Sequence, residues 1–257
     1  MELGKRMWLL AGVCAFALVA GCGGGGQASK EKACSEGQAS KEMSCCASQA
    51  SKETACCANS SNCKNSKEMK YSKKYTNADF YTDGKFNEEV AKKAYLEMFE
   101  FYGIPFTPFL EENFWIAEFG IGDFENVGMG GVFWVNDAEH GYFAHAIYLL
   151  PGQMIPEHAH VKTQYPPKFE TWMVTKGWAY NFSEVGDATP NPPAIPASHG
   201  FIKSKNFVIQ NVGEIIHLKK AETFHFLMAG PEGAIVDEWA SYHDGAGLRF
   251  TNQKAKL

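Results

Sequence analysis

The 257 residues carry 24 Lys and Arg against 29 Asp and Glu, a formal net charge of −5, and 45% apolar residues, enough to bury one good core. From Asn77 onward 13 basic residues face 23 acidic ones, whereas the earlier part has 11 against 6; all eight cysteines lie before residue 64 and nearly all aromatics after residue 70. The acidic main part argues against nucleic acid as a partner, because phosphate binding needs a basic face.

The opening run MELGKRMWLLAGVCAFALVAGC places Lys5 and Arg6 before an apolar stretch too short to span a bilayer comfortably, then Ala20 and Gly21 before Cys22. This predicts a cleaved export signal over residues 1–21. Leu-Val-Ala-Gly-Cys is similar to the lipobox of bacterial lipoproteins. It implies that Cys22 becomes a lipidated first residue, tying an exported protein to a bacterial cell envelope membrane through lipid alone. An ordinary secretory signal with an incidental cysteine is the plainer alternative.

Residues 22–75 read as a low-complexity tether. QASKE recurs at Gln27, Gln38 and Gln49, an eleven-residue period, with cysteines trailing each copy. The segment has too few large apolar residues to bury a core. Its six cysteines beyond Cys22 form an even set suited to disulfides or crosslinks; thiolate capture of Cu(I) or Zn(II) is the sharper alternative.

Residues 76–257 have the texture of a folded domain. FNEEVAKKAYLEMFEFYG places Val90, Ala94, Leu96, Met98 and Phe101 near helical spacing, with Asn87 as cap and Gly103 as stop, predicting an amphipathic helix on the outside of the domain. Beyond Pro108 come FWIAEFGIG, GGVFWVN, YFAHAIYLL, TWMVTKGWAYNF, NFVIQNVGEIIHL, HFLMAG and AIVDEWASY. These short β-branched and aromatic runs between turn residues predict an antiparallel sandwich or small barrel. The Pro-rich Gly186–Gly200 is expected as a long connection at one end.

Among the eight histidines, His158 and His160 stand one residue apart, so on a strand they face the same way while Ala159 faces the other. With Glu170 they supply three ligands of a divalent metal, and His225, in FHFLMAGPEG, is the candidate fourth. His140, His199, His217 and His243 read as ordinary core or surface histidines.

The frame Gly152, His158, His160, Glu170, Gly177 resembles the first motif of the cupin superfamily, and FHFLMAGPEG its second. Two departures stand out. Nine residues, VKTQYPPKF, separate His160 from Glu170 and are expected to loop at the barrel mouth, and Lys220 and Glu222 occupy places where a tight turn usually has proline and glycine. Within the cupins the chain resembles the metal-dependent D-lyxose isomerases through YLEMFEFYGIPFTP, PGQMIPEHAH, Lys168-Phe-Glu170-Thr171, Thr223-x-His225, AGPEGAIVDEW and LRFTN, over about residues 90–257.

That resemblance implies a mainly β fold, a double-stranded β-helix or jelly-roll barrel with an amino-terminal helix. It also implies metal ligation by His158, His160, Glu170 and His225, with Lys168 and Glu238 facing the sugar. A lysine is implied where His145 stands. The implied reaction is aldose–ketose isomerisation of a free monosaccharide, D-lyxose to D-xylulose or D-mannose to D-fructose, and the implied assembly is a homodimer.

Such a reaction needs a Lewis acid, a base that moves a proton between C1 and C2, and a proton donor for the oxygens. Glu238 is the candidate base and Lys168 the oxygen partner; Arg249 is a candidate substrate contact. Mn(II) is the favoured ion, and Zn(II), Co(II) or Fe(II) suit the same ligands. Two rival classes remain, an Fe(II) cupin oxygenase and a non-catalytic sugar or metal binder at the cell surface. Lys168 and Glu238 discriminate, since neither rival needs them.

Overall fold

The computed structural model describes residues 69–257. The expected signal peptide, Cys22 and the cysteine repeats lie outside the described residues. Ahead of residue 76, where the tether was expected to end, Tyr71 is already buried in the core and the Tyr75 hydroxyl donates to Glu97 at 2.7 Å. Two tyrosines give this stretch the apolar surface that the repeats lack, so the packed part starts earlier than composition suggested.

A short helix α1 (Asn77–Phe80) and the hairpin β1 (Tyr81–Thr82) and β2 (Lys85–Phe86) lead into α2 (Glu88–Tyr102). As expected, the Asn87 side chain accepts from the Val90 N–H and Gly103 ends the helix at φ 67°. The buried stripe differs from the expected one. It runs Ala91, Ala94, Tyr95, Met98, Phe99, while Val90 and Leu96 are only half-buried and Phe101 is exposed. Tyr95 and Phe99 decide the rotation, because their rings pack on Phe114, Phe124 and Tyr148. Burying each is worth about 2 kcal/mol.

After α3 (Pro108–Asn113) come β3 (Trp115–Ala117), β4 (Met129–Asp137), β5 (Tyr142–Leu149), β6 (His158–His160), β7 (Glu170–Ser183), β8 (Asn206–Asn211), β9 (Ile215–His217), β10 (His225–Ser241) and β11 (Leu248–Phe250). They form one curled antiparallel sheet ordered β11-β6-β10-β5-β4-β3, with β7 on the other edge of β10 and itself pairing β8 and β9. HFLMAG and AIVDEWASY are one 17-residue strand, β10, rather than two. A register shift against β7 between Ala229 and Ala234 absorbs Pro231, so a residue without an N–H interrupts the ladder without ending the strand.

The alternation along β5 builds the domain. Ala146 and Tyr148 face outward into a cluster with Val132, Ile235 and the buried face of α2, whereas His145 and Ile147 face a cavity inside the curl. Gly177 is required by backbone approach: it sits at φ 66°, and a Cβ there would stand 2.0 Å from the Gly233 carbonyl oxygen. The Pro-rich segment is, as expected, a long connection between β7 and β8. Its short 3-10 turn, Ala197–His199, buries His199 completely, and the ring bonds the Ile155 carbonyl at 3.1 Å.

Candidate functional site

β6 is short, but its alternation turns His158 and His160 into the cavity while Ala159 packs away from it. Glu170 opens β7 and His225 opens β10, where His225 pairs directly with His158. The second-motif turn succeeds without proline or glycine, because Glu222 itself takes the left-handed conformation at φ 60°. Its carboxylate accepts from the Lys162 N–H at 2.8 Å, tying that turn to the loop after β6. That loop is also fastened by Thr163, which donates to Asp244 at 2.5 Å, and by Tyr165 against Tyr242.

The four side chains bring one ligand atom each to within 4.8 Å of one another. His158 Nδ1 bonds the Pro156 carbonyl and His225 Nδ1 the Thr223 carbonyl, both at 2.9 Å. A carbonyl only accepts, so each Nδ1 carries the hydrogen and each Nε2 presents a lone pair inward. Glu170 Oε2 and His225 Nε2 lie 3.0 Å apart, yet both are buried without a hydrogen-bond partner. Two orphaned buried atoms this close suit a cation between them, and an N3O set fits a divalent transition metal.

The electrostatics agree with that fit. Burial, then the imidazoles of His225 and His160, holds His158 well below the usual histidine range. Burial lowers His160 too, against the pull of Glu170. Burial works to raise Glu170, but Lys168, His160 and His225 outweigh it and keep the carboxylate ionised. At His225 burial opposes charge, and the facing Glu170 carboxylate outweighs it and raises the pKa.

A second group adjoins the first. Glu238 lies on β10 directly opposite His145 on β5 and Trp172 on β7. Its Oε1 accepts from Lys168 at 2.5 Å, and Lys168 also donates to Glu170 Oε1 at 3.0 Å. Burial pushes the Glu238 pKa up, but Lys168 and His145 outweigh it and bring it down to about 2. Lys168 thus bridges the carboxylate of the metal-type cluster to one outside it. The cavity offers about 70 Å³ of space for water-sized molecules, and Trp115, Phe119, Met129 and Phe250 line it together with these polar groups.

Six of the residues singled out in the sequence therefore meet in one cavity: His158, His160, Glu170, His225, Lys168 and Glu238. Arg249 does not join them. β11 places Arg249 opposite Ala159, on the face turned from the cavity, while its neighbours Leu248 and Phe250 line the wall. The exposed guanidinium donates instead to the Ala246 and Leu248 carbonyls, at 2.8 and 2.7 Å.

Trp172, given no role from the sequence, and His243, read as an ordinary histidine, also line the cavity. Trp172 was legible, since it stands two residues after Glu170 on one strand. His243 was not, because it follows β10 in irregular chain, where paired hydrogen bonds with Asn136 hold its backbone. Burial, then Lys168 and His160, brings His243 down to about 3, so it is neutral. His140 and His217 are exposed, as read.

No family model matches the chain. The D-lyxose/D-mannose isomerase of Thermosediminibacter oceani is 35% identical over 172 residues, covering 66% of this chain and 92% of that protein. The D-lyxose ketol-isomerase of Cohnella laeviribosi is 31% identical over 168 residues, 65% of this chain and 91% of that one. Among solved structures, Cellulomonas parahominis L-ribose isomerase with L-psicose superposes with a TM-score of 0.49 at 16% identity, covering 65% of this chain and 91% of that one. With 35% identity over an alignment that spans 92% of the first relative, and with the cupin motifs seated on one curled antiparallel sheet, this chain belongs to the D-lyxose isomerase family of the cupin superfamily.

Proposed function

We propose that this protein is a metal-dependent aldose–ketose isomerase of a free monosaccharide, interconverting D-lyxose with D-xylulose or D-mannose with D-fructose. The observation that carries the reading is the Lys168 bridge between Glu170 and Glu238. A binder needs no ionised base beside its metal, and an oxygenase needs no ammonium there.

His158, His160, Glu170 and His225 would hold the ion, for which Mn(II) is our choice, with Zn(II), Co(II) or Fe(II) compatible. When bound, such an ion supplies Lewis acidity, polarising the sugar carbonyl and acidifying the neighbouring C–H. Glu238 then takes the proton from C2 and returns it to C1. Lys168 gives a proton to the oxygen on C1 and recovers one from the oxygen on C2, so the exchange is redox-neutral. In the resting ion pair Glu238 is ionised but a weak base. Its basicity rises as the Lys168 ammonium turns from it to a sugar oxygen, since removing a nearby positive charge raises a carboxylate pKa. The apolar side chains among those lining the cavity limit water near the developing charge, which strengthens these contacts.

The test is to incubate the metal-loaded protein with D-lyxose, D-mannose and D-xylulose in D2O and follow product and deuterium at C2 by NMR. Product with exchange is expected. Neither, with metal bound, overturns the reading, and oxygen uptake would then identify an oxygenase.

The Leu-Val-Ala-Gly-Cys motif supports placing the enzyme at a cell envelope membrane through a lipid on Cys22. Metabolic labelling with a fatty acid should mark the wild type and spare Cys22→Ser; equal labelling of both would refute the anchor.

A further inference from the structure

The Glu238 carboxylate is met from both neighbouring strands at the same oxygen. Trp172 Nε1 donates to Oε2 at 3.0 Å, and His145 Nε2 lies 3.1 Å from that oxygen. The indole N–H only donates. His145 Nδ1 is buried with no partner, and the rings of Phe133 and Phe143 lie against the imidazole at 5.6 and 4.9 Å. A neutral ring with its hydrogen on Nε2 is the form that leaves no buried N–H unmet, so His145 also donates to Oε2. Both donors are direct cross-strand partners of Glu238, fixed by backbone pairing on either side. Oε1 is left to Lys168 alone.

We propose that His145 and Trp172 are positioning residues that hold Glu238 by Oε2 and so assign Oε1 as the oxygen that takes the sugar proton. This rests on the isomerase reading above. As Lys168 turns from Oε1 to the substrate, its place at Oε1 is filled by the hydrogen on C2. The C2–H bond breaks, its electron pair becomes the C1–C2 double bond, and Oε1 takes the proton while Lys168 protonates the oxygen on C1. Oε1 then delivers the proton to C1 as the hydroxyl proton on C2 returns to Lys168. Two strand-mounted donors keep the carboxylate from rotating when its third contact leaves, and orientation at this scale is worth about a hundredfold in rate.

The experiment compares His145→Leu, His145→Gln and Trp172→Phe in the full metal-loaded chain. His145→Leu and Trp172→Phe should each lower kcat by about 10- to 100-fold, with KM within about threefold and with metal content and melting temperature held. His145→Gln keeps an N–H donor and should recover a large part of kcat. Unchanged kcat in both donor-deleted variants, an equal loss in Gln and Leu, or losses that follow metal content or melting temperature would overturn the assignment. A wild type that neither isomerises nor exchanges would overturn the isomerase reading and this assignment with it. An active wild type with unaffected variants overturns only the assignment.

Discussion

His225 Nε2 and Glu170 Oε2 stand 3.0 Å apart inside the barrel, and neither has a hydrogen bond to the other or to anything else. A buried polar atom left unmet costs about 1–3 kcal/mol, so most in folded proteins are paired. Their orphaning makes sense when a cation completes the set with His158 and His160. Replacing both of those histidines with alanine should therefore take metal from about one ion per chain to far below one, measured by elemental analysis of purified protein. Stoichiometric metal in the double variant would refute the ligand set.

Glu238 is outside that set, so its loss should separate binding from chemistry. Glu238→Gln should retain the metal and lower both turnover and deuterium exchange at C2 by about 10²- to 10⁴-fold. A variant close to wild type in exchange would remove Glu238 as the base.

Arg249 faces away from the cavity and bonds its own turn. Arg249→Ala should leave kcat/KM within about twofold and cost at most about 1 kcal/mol in stability. A loss above tenfold at unchanged melting temperature would mean that the guanidinium reaches substrate after all.

Gly177 combines a left-handed backbone with a carbonyl where its Cβ would go. Gly177→Ala should destabilise the domain by more than about 2 kcal/mol, of which about 1–2 is the backbone conformation and the rest the displaced Gly233 strand. Urea unfolding measures it, and an unchanged midpoint would refute the clash.

His199 gives the domain an acid-sensitive element outside the metal-type cluster. Its burial holds the pKa below the ordinary histidine value, against weaker pulls from the Ile155 carbonyl and Glu157. The unfolded chain then binds a proton near pH 6.5 that the folded chain refuses. This contribution is complete above that pH and is lost as pH falls through the folded value. Urea midpoints should drop below about pH 6.5, and His199→Gln should flatten the slope without abolishing it, because His243 is held low as well. An identical slope in the variant would clear His199.

How much of this was legible depends on the range over which each feature is set. The caps of α2, the pairing of His158 with His160 and the inward alignment of Lys168, Glu170 and Trp172 follow from covalent periods of 3.6 and 2, which the chain carries with it. The stripe of α2 was placed only in part, at Ala94 and Met98, because the helix alone does not say which aromatic neighbours it will meet. Tyr95 and Phe99 won through Phe114, Phe124 and Tyr148. The continuity of β10 across Pro231 was hidden for a similar reason, since the bulge belongs to its pairing with β7.

The sequence by itself determined the family, the antiparallel texture and a metal-type ligand set, because local residue types and spacings are enough for those. Tertiary structure alone decided that Arg249 points outward, that His243 reaches the cavity wall, and that Glu238 is held from both sides by His145 and Trp172. Register between distant strands is chosen by the pairing of the whole sheet, and a one-residue slip turns every side chain to the opposite face.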